Sequence, residues 1–151
     1  MIKDVKIKKL TIHTDDRGFF TELVKIGEET FKQVKQTNYT ETYPGVIKAF
    51  HYHKKQWDIW FVSSGMAEVV LYDLRKNSPT KGETMVFYSG EDNRQLIAIP
   101  PGVAHGYRVL GKKKVGLLYH VTEPYDPKKP DEERISFDSP IIGYKWGTKN
   151  R

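Results

Sequence analysis

The sequence predicts an all-β domain, a sandwich or barrel assembled from many short strands. Three observations predict it. Stretches rich in β-branched and aromatic residues recur along the chain, clusters of turn residues separate them, and the one segment with helical character, EETFKQ at residues 28–33, is short. Taken in order, the stretches are VKIKKLTIH (5–13), GFFTELVKI (18–26), FKQVKQTNYT (31–40), VIKAFHYH (46–53), DIWFV (58–62), AEVVLYDL (67–74), TMVFY (84–88), QLIAI (95–99), GYRVL (106–110) and VGLLYHVT (115–122). Val, Ile, Thr and aromatic side chains suit a pleated, half-buried surface, which is why each reads as a strand. Asp15-Asp16-Arg17-Gly18 ends the first. Tyr43-Pro44-Gly45 and Ser63-Ser64-Gly65 bound the central ones. Asn77-Ser78-Pro79, Ser89-Gly90 and Pro100-Pro101-Gly102 punctuate the later ones, with Gly and Pro supplying turn geometry. From Tyr125 onward Pro, Asp, Lys and Glu dominate, so residues 125–151 are expected to form a surface loop and a docked tail on a core of about 1–124.

At 151 residues the chain is the size of one domain, and no internal repeat or low-complexity segment divides it. A domain this long buries enough surface to fold without disulfides or a structural metal. It has no cysteine, which fits a reducing compartment. The N-terminal MIKDVKIKKL lacks the apolar core of a signal peptide, and no apolar run has the length of a membrane span. The expectation is a cytoplasmic protein with no membrane partner. The net charge of +6 comes from 25 basic and 19 acidic residues, scattered as short lysine runs such as Lys112–Lys114. Nucleic-acid binders gather such charge on one face, so a solvated lysine surface is expected, with a pocket for an anionic small molecule as the functional alternative.

The chemistry concentrates in AFHYHKKQWDIW, residues 49–60. On a strand, residues i and i+2 share a face, so His51 and His53 point together while Phe50 and Tyr52 point the other way. By the same alternation Lys48 faces away from His51 unless a bulge intervenes, and at most one of Trp57 and Trp60 faces the interior. The spacing is G-x5-H-x-H-x4-D-x6-G (Gly45, His51, His53, Asp58, Gly65), followed by P-x-G-x2-H (Pro100, Gly102, His105). It resembles the two motifs of the cupin superfamily, whose fold is a double-stranded β-helix, or jelly roll. In metal-binding cupins two histidines, a carboxylate and a later histidine converge inside the barrel, which puts His51, His53, Asp58 and His105 forward as ligands. Three imidazoles and one oxygen suit Zn, Fe, Ni or Mn.

A closer resemblance covers most of the chain. DDRGFFTEL, QTNYT, GVIKAFHYH, VVLYDLRKNSPTKGE, IPPGVAHGYRVL and YHVTEPYDP are similar, in that order, to the dTDP-4-dehydrorhamnose 3,5-epimerase family. The resemblance implies a cupin-fold homodimer that acts on a 4-keto-6-deoxy nucleotide sugar without metal. It implies proton abstraction next to a carbonyl, with His51 as base and Tyr119 as acid; imidazole suits the first role because it titrates near neutral pH. It also implies that Arg17, Phe20 and Glu22 reach a partner subunit's nucleotide, and that Gln36 and Asn38 contact the diphosphate. Lys48 stands where the family has an arginine, and His105 and Tyr125 complete the substrate-binding set.

Three positions depart from that pattern. Asp58 stands where the family has an enolate-stabilising lysine, and an anion there opposes a developing oxyanion. His53 stands in place of a glutamine. The family's aspartate partner of the base lies beyond the tryptophan matching Trp146, and the sequence runs only five residues past it. Three readings therefore stand: a nucleotide-sugar epimerase or isomerase, a metal-dependent cupin of another activity, and a non-catalytic sugar-nucleotide-binding cupin. Blander roles accompany each residue. His105 could brace its turn, Asp58 could orient His53, and Arg17 to Glu22 could be a plain dimer contact.

Overall fold

The computed structural model describes residues 1–147. These residues are all-β, with twelve strands: β1 Lys6–Lys9, β2 His13–Asp15, β3 Gly18–Phe20, β4 Gln36–Thr42, β5 Ile47–Tyr52, β6 Asp58–Ser64, β7 Met66–Asp73, β8 Thr84–Gly90, β9 Gln95–Ile99, β10 Val103–Leu110, β11 Val115–Val121 and β12 Glu133–Arg134. Two five-stranded antiparallel sheets form, in the orders β1-β9-β6-β11-β4 and β12-β5-β10-β7-β8; β2 and β3 make a separate hairpin.

Three apolar layers follow from strand alternation. Between the sheets lies the main core, with Val69, Leu71, Ile97, Ile99, Val103 and Leu117. Outside the first sheet, Leu10, Leu23, Val24 and Trp57 cover Ile59, Phe61, Leu96 and Ala98. Outside the second, Ile135, Ile142, Tyr144 and Trp146 cover Phe50, Val70 and Ala104. Trp57 and Trp60 divide as their parity requires: Trp60 is in the inner layer, Trp57 in the outer one.

EETFKQ forms turns and no helix, in keeping with its shortness, since so few residues cannot repay helix nucleation. The structure corrects two sequence expectations. The strand read over 18–26 ends at Phe20, because Leu23 and Val24 leave the hairpin to pack on the outer face of the first sheet. The segment after Tyr125 is not purely loop and tail. Glu133 and Arg134 pair with Tyr52 and His51 and become the edge of the second sheet. The last four residues of the expected 125–151 segment lie outside the described residues.

One irregularity positions the site. β10 advances two residues from His105 to Tyr107 while β5 advances three, from His51 to Lys48. This is a bulge in β5, and it puts Lys48 and His51 on the same wall despite their odd spacing.

Candidate active site

A cavity of about 570 Å³ opens between the two sheets. β4 contributes Gln36 and Asn38, β5 contributes Lys48 and His51, and β11 contributes Tyr119. The histidine and the tyrosine thus belong to opposite sheets. The segment after β11 crosses the mouth and adds Tyr125, Asp131, Glu132 and Arg134. Its position there follows from the β12–β5 pairing.

The floor is a buried polar cluster around Asp58, whose side chain is 4% exposed. Gln56 Nε2 donates to Asp58 Oδ1 at 2.7 Å and Trp60 Nε1 to Oδ2 at 3.1 Å. His53 Nε2 lies 3.5 Å from Oδ1 and His105 Nε2 lies 3.6 Å from Oδ2. His53 Nδ1 donates to the Asp131 carbonyl, and His105 Nδ1 donates to the Val103 carbonyl at 3.0 Å. Both imidazoles are therefore oriented by backbone acceptors so that Nε2 faces the carboxylate.

The charge states follow from these contacts. Burial favours neutral Asp58, but the His53 bond, the charges of His105 and His53 and the Gln56 bond win and hold its carboxyl below the usual range. Burial also opposes charge on His53, yet its bond to Asp58 and the charges of Asp58 and Asp131 raise it above an ordinary histidine. His105 is driven down to about 4, first by burial and then by the nearby imidazoles, with Asp58 offsetting only part. The floor is thus an anion between two imidazoles whose proton affinities are pushed apart, His53 upward and His105 downward.

The walls differ. His51 is 40% exposed, and its Nδ1 lies 4.0 Å from Glu132 Oε2. Burial lowers its pKa while Glu132 raises it, with a net lowering that keeps the ring a neutral base. Burial and the charges of Asp58 and Glu132 raise Tyr119, so its hydroxyl keeps its proton. Lys48 Nζ donates to Thr40 Oγ1 at 2.9 Å and the Glu41 carbonyl at 3.4 Å, leaving one N–H free of these partners. Gln36 Nε2 donates to Asn38 Oδ1 at 2.7 Å, and Gln36 Oε1 accepts the Tyr125 N–H at 2.9 Å.

The cavity brings together nine of the residues expected from sequence: Gln36, Asn38, Lys48, His51, His53, Asp58, His105, Tyr119 and Tyr125. Arg17, Phe20 and Glu22 are elsewhere. They sit on and just after the β2–β3 hairpin, where Arg17 pairs with Asp15, Glu22 lies 3.6 Å from Lys25, and Phe20 is 64% exposed. The four-ligand metal set is corrected as well. His53, Asp58 and His105 each offer an atom within 4.8 Å of the others, but His51 is not among them. β5 ends at Tyr52, so His53 has left the strand and turns down to the floor while His51 stays on the wall. The three remaining donors fit a divalent cation: two imidazole Nε2 atoms and a carboxylate, with both imidazoles held through Nδ1. Gln56, Trp60, Asp131 and Glu132 escaped the sequence reading. Trp60 and Gln56 flank Asp58 in the motif, a signal within reach; Asp131 and Glu132 lie more than seventy residues away and offered none.

The family model described as dTDP-4-dehydrorhamnose 3,5-epimerase matches residues 1–151. The spore coat polysaccharide biosynthesis protein SpsL of Bacillus subtilis is 56% identical over 100% of both chains. The probable low-salt glycan biosynthesis epimerase Agl13 of Haloferax volcanii is 36% identical, covering 98% of this chain and 96% of its own. Among solved structures, the dTDP-6-deoxy-D-glucose-3,5-epimerase RmlC of Legionella pneumophila, in complex with dTDP-4-keto-L-rhamnose, superposes with a TM-score of 0.86 at 28% identity, covering 98% of this chain and 81% of that one.

Proposed function

The chain belongs to the dTDP-4-dehydrorhamnose 3,5-epimerase family, and on that premise we propose that its cavity epimerises a 4-keto-6-deoxy nucleotide sugar with His51 as base and Tyr119 as acid. The observation that carries this reading is the cavity itself, which holds a neutral imidazole on one sheet and a protonated phenol on the other.

The steps follow from acid–base chemistry. His51 accepts the proton from a ring carbon adjacent to the keto group, and the C–H electron pair moves into the enolate. Tyr119 donates its proton to the opposite face of that carbon, which inverts the centre. The phenolate and the imidazolium then exchange protons with solvent. Lys48 holds the enolate oxygen with its remaining N–H, the service that an anionic Asp58 cannot supply. Gln36 and Asn38 bind the diphosphate, while Tyr125 and the floor around His105 bound the sugar. In a homodimer, the exposed hairpin carrying Arg17, Phe20 and Glu22 extends over the partner's cavity mouth. The reading carries a cytoplasmic location with it, which the absence of cysteine supports.

The test is deuterium wash-in. A 4-keto-6-deoxy dTDP sugar incubated with the protein in D2O should gain deuterium at carbons adjacent to the carbonyl. His51→Asn should slow incorporation by about 10²–10⁴-fold, the worth of a general base. No incorporation with the native protein would leave a sugar-nucleotide-binding cupin as the reading.

The convergence of His53, Asp58 and His105 favours a second reading, a divalent-cation site on the cavity floor. A cation there would supply Lewis acidity toward a carbonyl. The family's epimerases need no cofactor, and elemental analysis of the purified protein decides: a stoichiometric, chelator-removable metal supports the second reading and its absence removes it.

A further inference from the structure

The contacts of His51 leave a question that the acid–base assignment does not answer: what orients the base? His53 and His105 are each held through Nδ1 by a backbone carbonyl. Among the described residues, His51 has one carboxylate within ion-pair reach of its Nδ1, that of Glu132, with Oε2 at 4.0 Å. We propose that Glu132, carried in from the segment over the cavity mouth, is the positioning residue of His51, holding its Nδ1–H so that Nε2 is the proton-accepting atom. The proposal rests on the epimerase reading of the same cavity.

The surroundings of Glu132 are built for placement. On one side, the Asp131 carboxylate accepts the backbone N–H groups of Lys54, Lys55 and Gln56 at 2.9, 2.9 and 3.0 Å. On the other, Glu133 and Arg134 pair with β5, and Ile135 exchanges backbone hydrogen bonds with Phe50 at 2.8 and 2.9 Å. Glu132 is thus a single residue between two anchored neighbours. Its own carboxylate is divided. Oε1 accepts from Arg134 Nε at 2.9 Å and Nη2 at 2.8 Å, leaving Oε2 as the oxygen nearer the imidazole. The 4.0 Å gap is about 1 Å longer than a hydrogen bond, which a small side-chain rotation closes. Catalytic bonds of this kind commonly tighten only when substrate is bound.

A carboxylate in this place does two things. It selects the tautomer that leaves the lone pair on Nε2, and it stabilises the imidazolium formed when His51 takes the sugar's proton. Glu132 is not protonated in the cycle. Arg134 moderates it, since a guanidinium on the same carboxylate tempers how basic the imidazole becomes.

Glu132→Gln and Glu132→Asp, measured by deuterium wash-in beside His51→Asn, test the idea. Glu132→Gln should lower kcat by about 10–100-fold, the usual cost of losing an orienting partner. KM should change less than about threefold, because the lost interaction belongs to the transition state. Glu132→Asp should recover much of the rate. Independently of turnover, 15N NMR of the native protein should show His51 as the Nδ1–H tautomer. If His51→Asn loses exchange while Glu132→Gln keeps the native rate, Glu132 has no positioning role. A defect confined to KM, a loss that Glu132→Asp does not relieve, or an Nε2–H tautomer in the native protein would each overturn it too. If His51→Asn exchanges normally, it is the epimerase reading that fails.

Discussion

Replacing Asp58 by asparagine probes the cavity floor most directly, because shape is kept while charge and one acceptor are lost. In the native protein both carboxylate oxygens accept a hydrogen bond, from Gln56 and from Trp60. A carboxamide has one oxygen, so its –NH2 end faces a donor, and one buried N–H is left unsatisfied at about 1–3 kcal/mol. His53 also loses its anionic partner, which adds to that cost wherever its ring is protonated. The unsatisfied donor alone amounts to a fall of roughly 2–12 °C in Tm for a domain of this length. The pH dependence has a definite sign. His53 titrates above its ordinary value in the folded protein. Its contribution is therefore fully present below the unfolded value of 6.5 and fades as pH rises through the folded one. Thermal melts should show a wider gap between native protein and Asp58→Asn at pH 6 than at pH 9. A variant as stable as the native protein, or a gap of the same size at both pH values, would refute this account of the floor.

Other consequences can be checked alongside. Tyr119→Phe should abolish net inversion and lower turnover by about 10²-fold or more, while circular dichroism and Tm stay near native, since the phenol oxygen faces the cavity. Stability should fall on acidification from about pH 6.5 to 4: His105 is near 4 when folded and 6.5 when unfolded, so the unfolded chain takes up the proton first. At 1.36 kcal/mol per unit the loss reaches about 3 kcal/mol, and urea melts of His105→Gln should show a shallower decline over that window. Trp146→Ala removes the ring that packs against Phe50 at 5.6 Å and its bond to the Phe137 carbonyl at 3.0 Å; it should cost about 2–3 kcal/mol and speed hydrogen exchange in residues 135–146. Sedimentation should report a homodimer at micromolar concentration, and Phe20→Asp should weaken it.

Much of the architecture was legible because β structure advertises itself through short-range patterns. That Phe50 points away from His51, and that Trp57 and Trp60 face opposite ways, followed from parity alone, and the Gly-Pro turn clusters bound most strands. The cavity floor was legible too, since Asp58 follows His53 by five residues and the histidine of the Pro-Gly turn, His105, lies on a strand that pairs with β5. The failures share a cause. Leu23 and Val24 have strand-like composition, but the available apolar surface lay on a sheet's outer face, and tertiary burial overrode propensity. His51 and His53 were expected to act together because i and i+2 share a face, a rule that ends where the strand ends, at Tyr52. Glu132 could not have been found, because the pairing of β12 with β5 joins residues about eighty positions apart through backbone groups that every residue possesses.

The stretch from Tyr119 to Arg134 starts in one sheet and finishes in the other, so it buttons the two halves of the sandwich together at the open end. Pro124, Pro127 and Pro130 punctuate it, each freezing one backbone torsion and thinning the range of shapes the span can take. The phenol and the carboxylate ride on opposite ends of this one stiffened span. Their placement is set by the anchors at either end, Tyr119 in β11 between β4 and β6 and Glu132 beside β12, so glycines inserted near Lys128 would slacken the ribbon between them while both ends keep their places.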